Sequence, residues 1–266
     1  MRKVCGFVGL GRQGAPIAQR IIEADYPVII WARRGETLDK FRCTGAVVAA
    51  SLVELGEKSD HIGICVDTDS AVMEVCEQLI PAMRAGSTIA IHSTTHPDTC
   101  RRLEHEAIKR NCQLIDAPVS GGPSAASAGK LTVMMGGTET AIIEMRPIFA
   151  TFSHLMMHMG PVGSAQIAKL INNTLMAANL ALAHSAFSSG TELNLDRTQL
   201  KHLLEAGSGR SYALQVYARQ ERPGVFDYSR TLLEKVDLLS DIIGKDHPTF
   251  KSLREATDAL RTDSHS

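Results

Sequence analysis

The sequence has almost no excess charge of either sign: 28 lysines and arginines stand against 29 aspartates and glutamates, a formal net charge of −1. Without a basic field, neither nucleic acid nor an anionic membrane surface is expected as a partner. A long apolar run is also missing. The longest, residues 175–187, is too short for a bilayer and contains His184, so it reads as a buried helix. Met1-Arg2-Lys3 is basic, but Gly6, Gly9, Gly11 and Arg12 break the apolar stretch behind it. No signal-peptide core forms there, and a cytoplasmic location is expected. Cysteine pairs in C-x-x-C spacing are absent too. Cys5, Cys43, Cys65, Cys76, Cys100 and Cys112 all lie in the first half and read as reduced thiols packed as small hydrophobes.

What is present is an ordinary globular composition, 44% hydrophobic and 21% charged, on a 266-residue chain that suits one large or two modest domains. Residues 4–8, 28–31, 61–66, 88–92, 113–116 and 131–135 read as strands. Amphipathic helices are expected at 15–24, 38–43 and 72–79, with another from Thr140. This alternation implies a mostly parallel sheet covered on both faces. Strand patterns stop near residue 162. A long helix, rich in Ala, Leu and Asn and free of Pro and Gly, is expected at 164–188. Helical segments follow, with breaks at 207–209, 223–224 and 244–248 and a disordered tail over the last few residues. The expected architecture is therefore α/β: an N-terminal Rossmann-like, doubly wound parallel sheet over 1–161, then an all-helical domain for substrate binding and oligomerisation over 162–266.

Gly9-Leu10-Gly11-Arg12-Gln13-Gly14 fits G-x-G-x-x-G, directly after a strand and before a helix. The first glycine allows the tight turn, the second lets backbone approach a pyrophosphate, and the third lets helix pack close on strand. The helix N-terminus then presents N–H groups and a positive dipole end to the phosphates. The second strand ends at Trp31 and is followed by Ala32-Arg33-Arg34, with no Asp or Glu to hold a ribose 2′-hydroxyl. Arg33 and Arg34 suit a 2′-phosphate, so NADP(H) is expected, with NAD as the alternative.

With these residues in view, Gly6-Phe7-Val8-Gly9-Leu10-Gly11 resembles the opening of the 3-hydroxyacid dehydrogenase family. The likeness recurs at Ser93-Thr94 with Pro97, at Asp116-Ala117-Pro118-Val119-Ser120-Gly121-Gly122, and at Gly129, Leu131-Thr132 and Gly136-Gly137. It continues through Gly160 and Gly163 to Lys169-Leu170-Ile171-Asn172-Asn173. Independently, Ser120-Gly121-Gly122 sets a hydroxyl before two residues free to take positive φ, which suits a backbone cradle for a carboxylate. Lys169 and Asn173 lie four apart, so both project on one helix face.

The resemblance implies an enzyme that interconverts a small hydroxy acid and its semialdehyde. Lys169 would be its general acid and base, Asn173 would hold the substrate, and Ser120, Gly121 and Gly122 would take its carboxylate. It further implies that Val66, Asp67 and Thr94 contact the cofactor, and that Lys235 closes over the nicotinamide end. A homodimer or homotetramer is expected, because the 164–188 helix presents Ala and Leu around much of its circumference.

Some residues depart from the family pattern. Gln13 replaces a usual Met, and Asp67 a usual Pro. Pro123 and Lys130 are unusual beside the substrate loop, and His92 and His96 flank Ser93-Thr94. Val236 replaces the Asp after the late lysine, and the chain ends without the customary glycine- and Asp-bearing close. His154 and His158 have the i, i+4 spacing of helical metal ligands, but no acid lies between them and no metal is expected. Tyr212 and Tyr217 lack the lysine of a Tyr-x-x-x-Lys site. Two further readings stay open: a non-catalytic dinucleotide-binding module, and an imine-reductase-like enzyme.

Overall fold

The computed structural model describes residues 2–219, 229–258 and 260. The expected break at 223–224 and the C-terminal tail lie outside them. The chain divides into two compact units, Met1–Lys169 and Leu170–Ser266.

In chain order the first unit runs β1 (Cys5–Val8), α1 (Gly14–Glu23), β2 (Val28–Trp31), β3 (Val47–Val48), α2 (Leu52–Lys58), β4 (His61–Ile64), α3 (Asp69–Ala82), β5 (Thr88–Ile91), α4 (Pro97–Lys109) and β6 (Gln113–Asp116). It continues with β7 (Val119–Ser120), α5 (Gly122–Ser127), β8 (Leu131–Gly136), α6 (Glu139–Phe149) and β9 (Ser153–Gly160). Strands β3-β2-β1-β4-β5-β6 pair in that order and in parallel. β8 then joins β6 and β7 antiparallel, and β9 pairs β8 in parallel.

Every residue of β1, β4 and β5 is buried, as expected where helices cover both faces. Alternation within β1 divides the core. Cys5 and Phe7 pack with Ile17, Ile30 and Phe149 on one face, while Val8 packs with Ile62, Ile64 and Leu79 on the other. The strand order reverses between β1 and β4. In open sheets of this kind, ligands bind at the carboxyl ends of the strands beside such a reversal. Side-chain caps fix the helix starts around that rim: Thr68 Oγ1 accepts from Ala71 N–H to open α3, and Ser51 Oγ from Glu54 N–H to open α2.

Two local readings are corrected. Residues 38–43 were expected as an α-helix, but a 3₁₀ helix runs Gly35–Phe41, where one buried residue, Phe41, anchors a polar segment too short for a helical stripe. His154 and His158 lie on strand β9 and not on a helix. Their ring nitrogens bond main chain: His154 Nδ1 meets Leu131 O at 3.1 Å, and His158 Nε2 meets Gly160 O at 2.9 Å.

Helix α7 (Ser164–Glu192) crosses the division between the units, which falls between Lys169 and Leu170. The second unit continues with α8 (Arg197–Ala206), α9 (Tyr212–Ala218), α10 (Ser229–Ile243) and α11 (Pro248–Glu255). Its core gathers Leu180, Phe187, Tyr217, Val236, Leu239 and Phe250, with the Arg197 guanidinium 4.5 Å above the Phe187 ring.

Candidate active site

The turn from β1 into α1 can be built only from glycine at two of its three positions. Gly9 has φ +91°, and a Cβ there would overlap the Cys65 carbonyl. A Cβ on Gly14 would overlap the Gly9 carbonyl oxygen. Gly11, by contrast, faces open space, leaving its backbone accessible to a ligand. Helix α1 starts without a side-chain cap, so no residue of its own competes with an anion there.

In front of this turn lies a cleft of about 410 Å³. Of the residues expected to hold a cofactor, it brings together Gly9, Leu10, Gly11, Arg33, Arg34, Val66 and Asp67. Arg12, Gln13, Gly14, Thr94 and Lys235 are not among its lining. Both arginines are exposed; Arg34 reaches Glu36 at 3.7 Å, and Arg33 forms no ion pair among the described residues. Trp31, Thr37, Thr68 and Glu74 also line the cleft and were not singled out from sequence. The open glycine turn and a cleft of this volume at the strand reversal fit a dinucleotide.

Beside the cleft, strand ends are tied together by buried polar groups. Ser93 Oγ accepts from Val66 N–H at 2.9 Å and donates to Val66 O at 2.8 Å, joining the ends of β4 and β5. Asp116, wholly buried at the end of β6, accepts from Gly163 N–H at 2.8 Å and from Gln166 N–H at 2.9 Å. It thereby caps α7. Burial raises the Asp116 pKa, while those N–H groups oppose the rise. Gln166 accepts from Thr95 N–H at 3.0 Å and donates to Ser93 O at 2.9 Å.

Lys169 follows on the same helix. It is buried, and burial pushes its pKa down to about 8. Asn173, one turn further along α7, is half-buried. Thr94 is half-buried between the two backbone groups that Gln166 engages. Ser120 closes β7 opposite Thr132, and Gly121 and Gly122 follow with φ +128° and +73° at the start of α5. Lys235 is half-buried on α10 in the second unit.

Sequence reasoning did not assign roles to Asp116 or Gln166. Asp116 did carry a signal, since it opens a quoted motif at the end of an apolar strand, where an acid needs a partner. Gln166 carried none: an amide in an amphipathic helix start is unremarkable until its partners are known. Among the described residues, no group of three His, Cys, Asp or Glu could hold a metal, and no helix is long and apolar enough to cross a membrane.

Residues 4–160 match the family described as the NAD binding domain of 6-phosphogluconate dehydrogenase, and residues 163–230 the one described as NAD-binding of NADP-dependent 3-hydroxyisobutyrate dehydrogenase. The mitochondrial 3-hydroxyisobutyrate dehydrogenase of Rattus norvegicus is 32% identical over 225 residues, covering 84% of this chain and 67% of that protein. The NAD-dependent L-serine dehydrogenase of Pseudomonas aeruginosa is 30% identical over 243 residues, covering 85% of this chain and 79% of the relative. The chain thus spans about two thirds of the length of the mammalian relatives it matches. Among solved structures, a Mycobacterium tuberculosis 3-hydroxyisobutyrate dehydrogenase with L-serine superposes with a TM-score of 0.87. It is 22% identical and covers 100% of this chain and 95% of its own.

Proposed function

Because the chain belongs to the 3-hydroxyacid dehydrogenase family, we propose that it is an NAD(P)-dependent oxidoreductase that interconverts a small 3-hydroxy acid and its semialdehyde. The observation that carries this reading is Lys169: a buried amine on α7, three residues after the Gln166 that bonds Ser93 and Thr95, whose pKa burial pushes down to about 8. A group with that pKa exchanges protons in both directions near neutral pH.

The glycine turn and the start of α1 receive the pyrophosphate, and the cleft takes the adenosine half of the dinucleotide. Arg33 and Arg34 pair with a 2′-phosphate, which makes NADP(H) the preferred form. A bound nicotinamide would supply the hydride acceptor for oxidation of the hydroxyl-bearing carbon and the hydride donor for the reverse reaction. Neutral Lys169 accepts the hydroxyl proton in oxidation, and as the ammonium returns a proton to the carbonyl oxygen in reduction. Ser120, Gly121 and Gly122 hold the substrate carboxylate, Asn173 orients the reacting oxygen, and Thr94 and Lys235 contact the cofactor from their own elements.

Functionally, residues 1–161 bind dinucleotide, and 162–266 contribute substrate contacts and association. Ile171, Leu175 and Leu182 are exposed along one side of α7, which supports a homodimer or homotetramer. Free cysteines, four of them buried, accord with a cytoplasmic setting.

The test is a spectrophotometric panel of 3-hydroxy acids and semialdehydes with NADPH and NADH. Turnover of at least one 3-hydroxy acid is expected. Binding of dinucleotide without turnover of any panel member would replace the enzyme by a non-catalytic binding module.

A further inference from the structure

The amide of Gln166 is fully buried, and both of its ends are used on one short stretch of backbone. Its oxygen accepts from Thr95 N–H at 3.0 Å, and its nitrogen donates to Ser93 O at 2.9 Å. These two groups bracket Thr94. We propose that Gln166 is a positioning residue, which registers Lys169 against the strand-end segment carrying Thr94, so that the proton-transfer group and the cofactor-contacting backbone keep a fixed separation. This rests on the reading of Lys169 and Thr94 given above.

The two anchors of α7 constrain different motions. Asp116 holds the first turn of α7 through two main-chain N–H groups, at Gly163 and Gln166. That fixes where the helix begins but acts close to its axis, so it resists rotation weakly. A side chain reaching outward to a donor and an acceptor at once resists rotation strongly, because turning the helix breaks both bonds. Gln166 is such a side chain, and Lys169 lies three residues on, on the same face of the helix. Any rotation released at Gln166 is therefore delivered to the lysine.

Space filling alone does not call for an amide. An apolar side chain of similar volume would fill the position without the desolvation that a buried amide suffers when either end is unpaired. The amide is matched to the two groups it meets, and both are main-chain atoms of a loop that must not move relative to Lys169. The segment is in turn held from the other side, where Ser93 Oγ bonds both backbone groups of Val66, which lines the dinucleotide cleft.

Two variants test this: Gln166→Leu, which removes both bonds at similar volume, and Gln166→Glu, which keeps the acceptor for Thr95 N–H. The first readout uses the protein without cofactor or substrate. The rate of Lys169 acetylation by acetic anhydride is followed by mass spectrometry across pH. In the wild-type chain its midpoint is expected at about 8. In Gln166→Leu it is expected to rise by about one pH unit, because a loosened helix start admits water to the amine. Gln166→Glu should fall between the two. The second readout is turnover: kcat is expected to fall about 10–100-fold in Gln166→Leu, with the NADPH dissociation constant changed less than about 3-fold.

If Gln166→Leu does not fold, the near-isosteric Gln166→Glu decides by the same two measurements. An unchanged midpoint together with kcat within about 2-fold of wild type, in a folded variant, overturns the proposal and leaves the proposed function standing. A shifted midpoint in a protein that turns over no hydroxy acid supports the coupling of Gln166 to Lys169 and removes the proposed function instead.

Discussion

The imidazole of His92 lies almost flat against the ring of Phe7, with centroids 6.1 Å apart and planes 14° from parallel. Phe149 and Phe152 meet the same imidazole edge-on. A charged ring is poorly tolerated in such surroundings, and burial pushes the His92 pKa down to about 4. His61 lines the same small cavity, has no hydrogen-bond partner for either ring nitrogen among the described residues, and is likewise pushed down to about 4.

Both histidines make the protein acid-sensitive in a defined window. Their unfolded pKa is near 6.5 and their folded pKa near 4, so between those values the unfolded chain binds more protons and stability falls as pH falls. From pH 7 to pH 5 the loss is expected at roughly 2 kcal/mol for each histidine, read from urea unfolding. His61→Leu removes one share of that loss and should be close to neutral at pH 7, because it deletes an unpaired polar group. An unaltered difference between pH 7 and pH 5 in that variant contradicts this account.

Lys169→Ala should lower kcat about 10²–10⁴-fold while NADPH affinity stays near wild type, since the pyrophosphate is held by the glycine turn. The pH profile follows from a lysine titrating at about 8. Oxidation needs the neutral amine, so its kcat/KM rises with pH and levels off above about 8. Reduction needs the ammonium and declines across the same range. Near-normal turnover by the alanine variant removes Lys169 from the chemistry.

For the cofactor, Arg33→Glu should weaken NADPH binding more than NADH binding, by at least about 10-fold in the ratio of dissociation constants. Calorimetry on wild type and variant measures it. A wild-type protein that binds NADH at least as tightly as NADPH rejects the assignment of Arg33 and Arg34 to a 2′-phosphate.

Association is expected to bury the stripe of Ile171, Leu175 and Leu182 on α7, each about half exposed in the isolated chain. Sedimentation should give a dimer or tetramer at micromolar concentration, and Leu175→Lys together with Leu182→Lys should shift the mass toward the monomer. A monomeric wild-type mass rejects this.

Much of the first unit was legible because its strands are apolar runs bounded by glycine and polar residues. Residues 28–31 and 113–116 were read to the residue, and the glycine turn was placed on its strand and helix. Helix α4 was missed because most of its surface is charged and only Pro97, Cys100, Leu103 and Ala107 are buried, a stripe too thin to stand out. β9 was missed because its methionines and histidines suit a helix as readily as a strand. Only pairing with β8, a non-local event, selects the extended form. Within the candidate site, residues with motif spacing were visible. Asp116 and Gln166 acquire meaning from partners 50 and 73 positions away, which no local pattern encodes.

The capping of α7 by Asp116 bears on how the chain can be dissected. A fragment ending at residue 161, where the glycine-rich connection suggests a cut, would strip the Asp116 carboxylate of the Gly163 and Gln166 N–H groups that it accepts from at the end of β6. It would also take away the Gln166 amide that pairs with Thr95 N–H and Ser93 O. The smallest self-sufficient nucleotide-binding piece of this protein therefore borrows the opening turns of a helix that continues into the other unit. Excision would have to be made beyond Lys169, inside a continuous helix, and recombining this fold with foreign helical partners requires the donor to bring that first segment along.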